Sequence, residues 1–148
     1  IEALIADEFY GPEDVFILEG IQVACGSLGM PTATIKLRGP DGKEYVHAGV
    51  GTGPVDAAYR AIDHIIAVPN TLVEYRVAAV TEGIDALGEV TVRIRRDANG
   101  RRVFGGHGAD TDIIVASAKA YINALNKLII AKTEGTQPVQ NDFGVMLG

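Results

Sequence analysis

The chain has 148 residues, enough for one domain that buries roughly two thirds of the surface its unfolded form exposes. Its 13 Lys and Arg against 19 Asp and Glu give a formal charge of -6; this repels nucleic acid and anionic membrane, and no basic run offsets it. The lone Cys25 excludes an internal disulfide and suits a reducing, cytoplasmic setting, while its apolar neighbours predict a buried structural thiol.

The chain opens on Ile1, and residues 1–14 are expected to be the end of a connecting linker. From Val15 the pattern becomes periodic. In Thr34–Arg38, Ile35 and Leu37 face one side and Thr34, Lys36 and Arg38 the other, the alternation of a half-buried strand. Pro40, Asp41 and Gly42 then supply a hairpin turn. A glycine loop, Gly49–Gly53, leads into a helix whose apolar stripe is Val55, Ala58, Tyr59, Ile62 and Ile66, with Asp56, Arg60 and Asp63 opposite and Pro54 in the first turn.

The second half repeats the first. Gly49 and Gly51 fall on Gly106 and Gly108 at an offset of 57, the step from Gly49 to Gly106, and the same gapless offset carries Ile35–Arg38 onto Val92–Arg95, Val46 onto Val103, and Ala61 and Ile65 onto Ala118 and Ile122. Val90, Val92 and Ile94 alternate with Thr91, Arg93 and Arg95; Asn99 and Gly100 supply the turn; Gly105–Gly108 form the second glycine loop. The following helix has Val115, Ala118, Ile122, Leu125 and Ile129 inward and Lys119, Asn123 and Asn126 outward, with Thr111 or Asp110 as its cap. The expected fold is α+β: two pseudo-symmetric βββα repeats, 15–68 and 72–131, each an antiparallel sheet with one helix packed on it, followed by a flexible tail, 132–148. Polar residues interrupt the apolar runs before about 18 positions, so no membrane-spanning segment is expected.

The glycines invite a nucleotide reading, and their register rejects it. In a GxGxxG fingerprint counted from Gly49 the third glycine is replaced by Pro54, and counted from Gly51 by Asp56. The strands before them form a meander and not a βαβ crossover, and no GxxxxGK[ST] loop is present. Two readings stay open: helix-start amides that take a carboxylate or other small anion, or glycines that only make tight turns with positive φ. Catalytic candidates are isolated. His47, His64 and His107 lack metal-ligand spacing, Ser117 is mid-helix, and Asp110 and Asp112 read as helix-start charges.

With the duplicated unit in hand, three segments carry a resemblance: GTGPVDAAYRAI, DALGEVTVRI and GHGADTDIIVASAKAYINALNKL. Across about Val15–Leu128 the chain resembles the C-terminal regulatory domains of the 2-isopropylmalate synthase family. The resemblance implies a homodimer through this domain, leucine as feedback inhibitor bound near the dimer interface, and an N-terminal catalytic barrel that holds a divalent metal and uses acetyl-CoA. Neither cofactor, nor any catalytic residue, is expected among these 148 residues. Carried over by position, the leucine pocket comprises Gly51, Thr52, Gly53, Pro54, Val55 and Asp56, lined by Leu72, Tyr75 and Ala79 and closed around Ala86 and Gly88. The segment Gly106, Gly108, Asp110, Thr111, Asp112 and Ile113 is a comparable second loop. Two alternatives accompany this reading: an isoleucine-sensing domain of citramalate synthase type, and a dimerisation module that binds no ligand.

Overall fold

The computed structural model describes residues 15–27, 29–81, 86–96 and 102–147, with side chains up to residue 133 except 80, 81 and 86. Strands β1 (Ile17–Ala24), β2 (Thr32–Arg38) and β3 (Glu44–Val50) precede helix α1 (Pro54–Ile66), and β4 (Thr71–Thr81), β5 (Ala86–Arg95) and β6 (Val103–Asp110) precede α2 (Ile113–Leu147). Each trio is an antiparallel meander, β1-β2-β3 and β4-β5-β6, so the βββα duplication stands. The turn at Pro40–Gly42 joins β2 to β3, with Gly42 at φ 79, a value that favours glycine. The turn expected at Asn99–Gly100 lies outside the described residues.

Alternation decides the core. Ala33, Ile35 and Leu37 on β2, and Val90, Val92 and Ile94 on β5, are fully buried beneath the helices, each large aliphatic contributing about 1.5–3 kcal/mol. The opposite face of the first sheet stays wet and carries ion pairs of Arg38 with Glu19 and Glu44 and of Lys36 with Glu44. The helices present alanine to the sheets: Ala57 and Ala61 from α1, and Ala116, Ala120 and Ala124 from α2, all inaccessible. Small side chains suit a short helix-to-strand distance, and the glycines of the third strands complete it. A Cβ on Gly49 would stand 2.7 Å from the Ala57 carbonyl oxygen and 2.7 Å from the Ala61 nitrogen; on Gly108 it would strike the Ala116 carbonyl and lie 2.7 Å from the Ala120 nitrogen.

Those contacts correct the repeat alignment. Gly49 pairs with Ala33, and Gly108 with Val90, so Gly49 corresponds to Gly108 and not to Gly106. Equivalent residues are 54 apart in the first strands (Ile17 and Thr71), 57 in the second (Arg38 and Arg95) and 59 in the third strands and helices (Glu44 and Val103, Ala57 and Ala116). The gapless offset of 57 therefore holds for the middle strands alone, because the two repeats differ in both hairpin connections. The expected glycine loops are strand in part: Gly49 lies within β3 while residues 51–53 form the connection to α1, and Gly105–Gly108 lie wholly within β6. Among the described residues only Gly42 has positive φ among glycines, so close packing and not turn conformation explains Gly49, Gly51, Gly106 and Gly108.

Further expectations are corrected. Cys25 is exposed, since it lies just past the end of β1 where no element covers it. Asn126 is buried on α2: its Oδ1 accepts from the Phe16 amide at 2.9 Å and its Nδ2 donates to the Phe16 carbonyl at 2.9 Å, standing in for a neighbouring strand at the entrance to β1. The backbone is helical beyond Lys132, to Leu147, through Gly135 and Pro138; the sequence shows no apolar period there. Finally, Ile113–Thr133 is long and apolar enough to cross a membrane by length and composition, at mean hydropathy 1.4, although lysines punctuate it. Here its apolar face packs on β5 and β6.

Candidate functional site

The two helix starts are built differently. At α1 the N-cap is Gly53, extended at φ -152, and no side chain caps it. The Gly51 amide donates to the Pro31 carbonyl at 3.1 Å and the Ala57 amide to Gly53 at 2.9 Å. The Thr52 amide donates to Asp56 Oδ2 at 2.9 Å, and Arg60 Nε reaches the same oxygen at 3.0 Å. These bonds, the Thr52 amide foremost and then Arg60, hold the Asp56 carboxyl below its ordinary pKa. Pro54 has no amide hydrogen, and Val55 and Asp56 find no partner for theirs among the described residues.

At α2 a side chain caps the helix and takes one amide, while the Ile113 and Val115 amides, like those of Val55 and Asp56, find no partner among the described residues. Asp112 Oδ1 accepts from the Ile114 amide at 2.8 Å, and Asp110 Oδ1 from the Asp112 amide at 2.9 Å. The cap is thus Asp112, not the expected Thr111 or Asp110, because the helix begins at Ile113. Asp110 is held below the usual carboxylate range by the Asp112 amide first and by Lys119, 3.3 Å away, second. Ile113 lies against Gly88, where a Cβ would collide with it. The step of 59 that relates Ala57 to Ala116 also relates Gly53 to Asp112, and Val55 to Ile114. The second repeat carries a capping carboxylate that takes its Ile114 amide, where the first has glycine and leaves the equivalent Val55 amide open.

Beside α1 lies an uncovered apolar strand face. Leu72, Tyr75, Val77 and Ala79 pair with Ile94, Val92, Val90 and Gly88, so they share the helix-bearing side of their sheet. Yet β4 packs chiefly on β5, whereas both helices lie against β1. Their β1 counterparts Leu18, Ile21 and Val23 are half-buried on the core, while Leu72, Tyr75 and Val77 are exposed. Tyr59, one helical turn along α1 from Val55, meets Tyr75 edge to face at 6.4 Å. Tyr75 is thereby brought to α1; Leu72 and Ala79 share its strand face, and no described hydrogen bond or ring contact ties them to α1. Ala86 pairs with Thr81 through the backbone; its side chain lies outside the described residues.

A group of hydroxyls joins these parts, and its function was not legible in the sequence. Ser117 Oγ and the Tyr75 hydroxyl are 2.6 Å apart, the Tyr59 hydroxyl donates to the Ser117 carbonyl at 3.0 Å, and Tyr59 stacks on Tyr121 at 4.2 Å. The Tyr121 hydroxyl donates to Asp63 Oδ1 at 2.5 Å, with Asn70 Oδ1 at 3.3 Å. Burial raises the pKa of Tyr59 and Tyr121, and also that of the Asp63 carboxyl. The available signal was a hydroxyl on an apolar helix face, since a buried hydroxyl needs a partner.

The histidines do not assemble with these residues. His47 and His64 stack on each other at 3.5 Å, which the sequence did not reveal, and His107 pairs with Thr91. Among the described residues no three His, Cys, Asp or Glu side chains converge as a metal site.

Comparison with known proteins agrees with this architecture. Residues 1–129 match the LeuA allosteric (dimerisation) domain. The chain is 57% identical over 136 residues to the 2-isopropylmalate synthase of Gloeobacter violaceus, covering 92% of this chain and 25% of that protein. It is 56% identical over 128 residues to that of a Nostoc species, covering 86% and 24%, and 54% identical over 134 residues to that of a Picosynechococcus species, covering 90% and 25%. The chain spans about a quarter of the length of these relatives. A family match over most of the sequence, on a twice-repeated βββα fold, leads to one conclusion: the chain belongs to the LeuA allosteric (dimerisation) domain family.

Proposed function

We propose that the chain is the leucine-binding, feedback-inhibitory and dimerising domain of a cytoplasmic 2-isopropylmalate synthase. One observation carries the ligand: Gly53 stands where the second repeat has the capping carboxylate of Asp112, leaving the Val55 and Asp56 amides for a carboxylate supplied from outside. Helix-start amides favour an anion, and the neighbouring face of Leu72, Tyr75, Val77 and Ala79 suits a branched aliphatic side chain. Burying an isobutyl group contributes about 2–3 kcal/mol, whereas micromolar affinity needs about 8 kcal/mol. The polar ends therefore supply much of the remainder, and stereochemistry is strict. The second helix start already gives its Ile114 amide to Asp112, so the first is the stronger anion site and one leucine per chain is the expected stoichiometry. A second copy of the chain covers the rest of the β4 face. Acyl transfer, with its divalent metal and acetyl-CoA, belongs to the catalytic barrel of the parent enzyme.

Calorimetric titration of the dimer with L-leucine, D-leucine and L-isoleucine tests this reading. Saturable binding of L-leucine alone at one per chain is expected. Tighter binding of L-isoleucine would transfer the domain to the citramalate synthase type, and absence of binding by an intact dimer would make it a plain dimerisation module.

A further inference from the structure

The Ser117 side chain is fully buried in α2, flanked in sequence by Ala116 and Ala118 and one turn before Tyr121. Its hydroxyl spans the gap to the exposed strand β4 and meets the Tyr75 hydroxyl at 2.6 Å, while its carbonyl accepts from Tyr59 at 3.0 Å. The same places in the first repeat hold Ala58 for Ser117, at the helix step of 59, and Ile21 for Tyr75, at the first-strand step of 54. That repeat folds with an apolar pair there, so the fold does not require the hydroxyl bond. Tyr75 is also 38% exposed, and water could satisfy its hydroxyl if Ser117 were absent. A bond dispensable for folding, fixing an aromatic ring on the exposed apolar face of β4, points to a role on that face.

We propose that Ser117 is a positioning residue of the ligand site, holding the Tyr75 ring against Tyr59 so that the wall facing the α1 amides is preformed. The inference rests on the leucine-binding reading above. Fixing the ring before binding removes an ordering cost that the ligand would otherwise meet.

L-leucine titrations of the 148-residue chain and of Ser117→Ala, Tyr75→Phe and the double variant test it. Each single change is expected to weaken binding about 5-fold, the equivalent of one neutral hydrogen bond, and the double variant no further. Thermal midpoints, read alongside, should move little. Unchanged affinity in Ser117→Ala, or losses that add in the double variant, would overturn the proposal. The Tyr75 ring resonances of the free protein give a readout independent of leucine: they should move toward motionally averaged values in Ser117→Ala. Should leucine not bind the wild-type chain, the ligand reading fails; should the ring resonances stay fixed, the positioning role fails.

Discussion

Glycine has two distinct uses within a few residues of this chain. At Gly49, Gly51 and Gly108 a side chain would run into the helix backbone, whereas at Gly53 nothing lies within 4 Å and φ is -152, a conformation open to any residue. Gly108→Ala should cost about 1–3 kcal/mol by overpacking, measured by urea denaturation. Gly53→Asp should leave stability unchanged or raise it by up to about 1 kcal/mol, because its carboxylate can cap α1 as Asp112 caps α2. The same carboxylate would occupy the amides proposed for leucine, so affinity should fall at least about 10-fold, the worth of one charge-assisted bond. Retention of full leucine affinity by a folded Gly53→Asp chain would refute the anion site. The glycines themselves were legible in the sequence. Their separate causes were not, because composition cannot tell a close approach from a vacant cap.

At the level of elements, βββα was readable because the period changes from two residues to about 3.6 in each half. The alignment of the halves was not, and strand geometry explains the failure. Glycines at alternate positions, Gly49 with Gly51 and Gly106 with Gly108, match in two registers that differ by two residues. A two-residue slip keeps every side chain on its own face, so the alternation cannot expose it. The contacts of Gly49 and Gly108 with equivalent alanines do. The correct register places His47 opposite Gly106 of the second repeat, so an imidazole stacked on His64 stands where α2 rests directly on bare backbone. Asn126 was assigned outward because polarity and helical phase agreed, yet the β1 entrance needs a donor and an acceptor on that side of α2. Asn126→Ala should strand both Phe16 backbone groups and cost about 2–4 kcal/mol, visible as a lower denaturation midpoint with an unchanged m-value. A loss below about 0.5 kcal/mol would show that water replaces the amide.

Across the whole molecule, the repeats meet along the Tyr59–Tyr121 stack and the bond from Tyr121 to Asp63, and this seam contains the one strongly desolvated carboxyl among the shifted acids. Asp63 lies in the last turn of α1, where the helix dipole also disfavours negative charge. Burial raises its pKa, and the Tyr121 hydroxyl bond and the nearby Arg60 charge oppose that rise only in part. The folded chain thus holds this proton more tightly than the unfolded chain. Its contribution to stability is complete below the ordinary carboxylate pKa of about 4 and is lost as pH rises through the raised folded value. Asp56 and Asp110, with lowered values, act with the opposite sign, but both lie at the surface in contact with solvent and contribute little. Asp63→Asn keeps an acceptor for Tyr121 and removes the titration. Thermal midpoints from pH 3 to 8 should show wild type gaining on Asp63→Asn toward acid and losing that advantage as pH rises, with no further change near neutrality. Parallel curves for the two proteins would mean that the seam does not sense this proton.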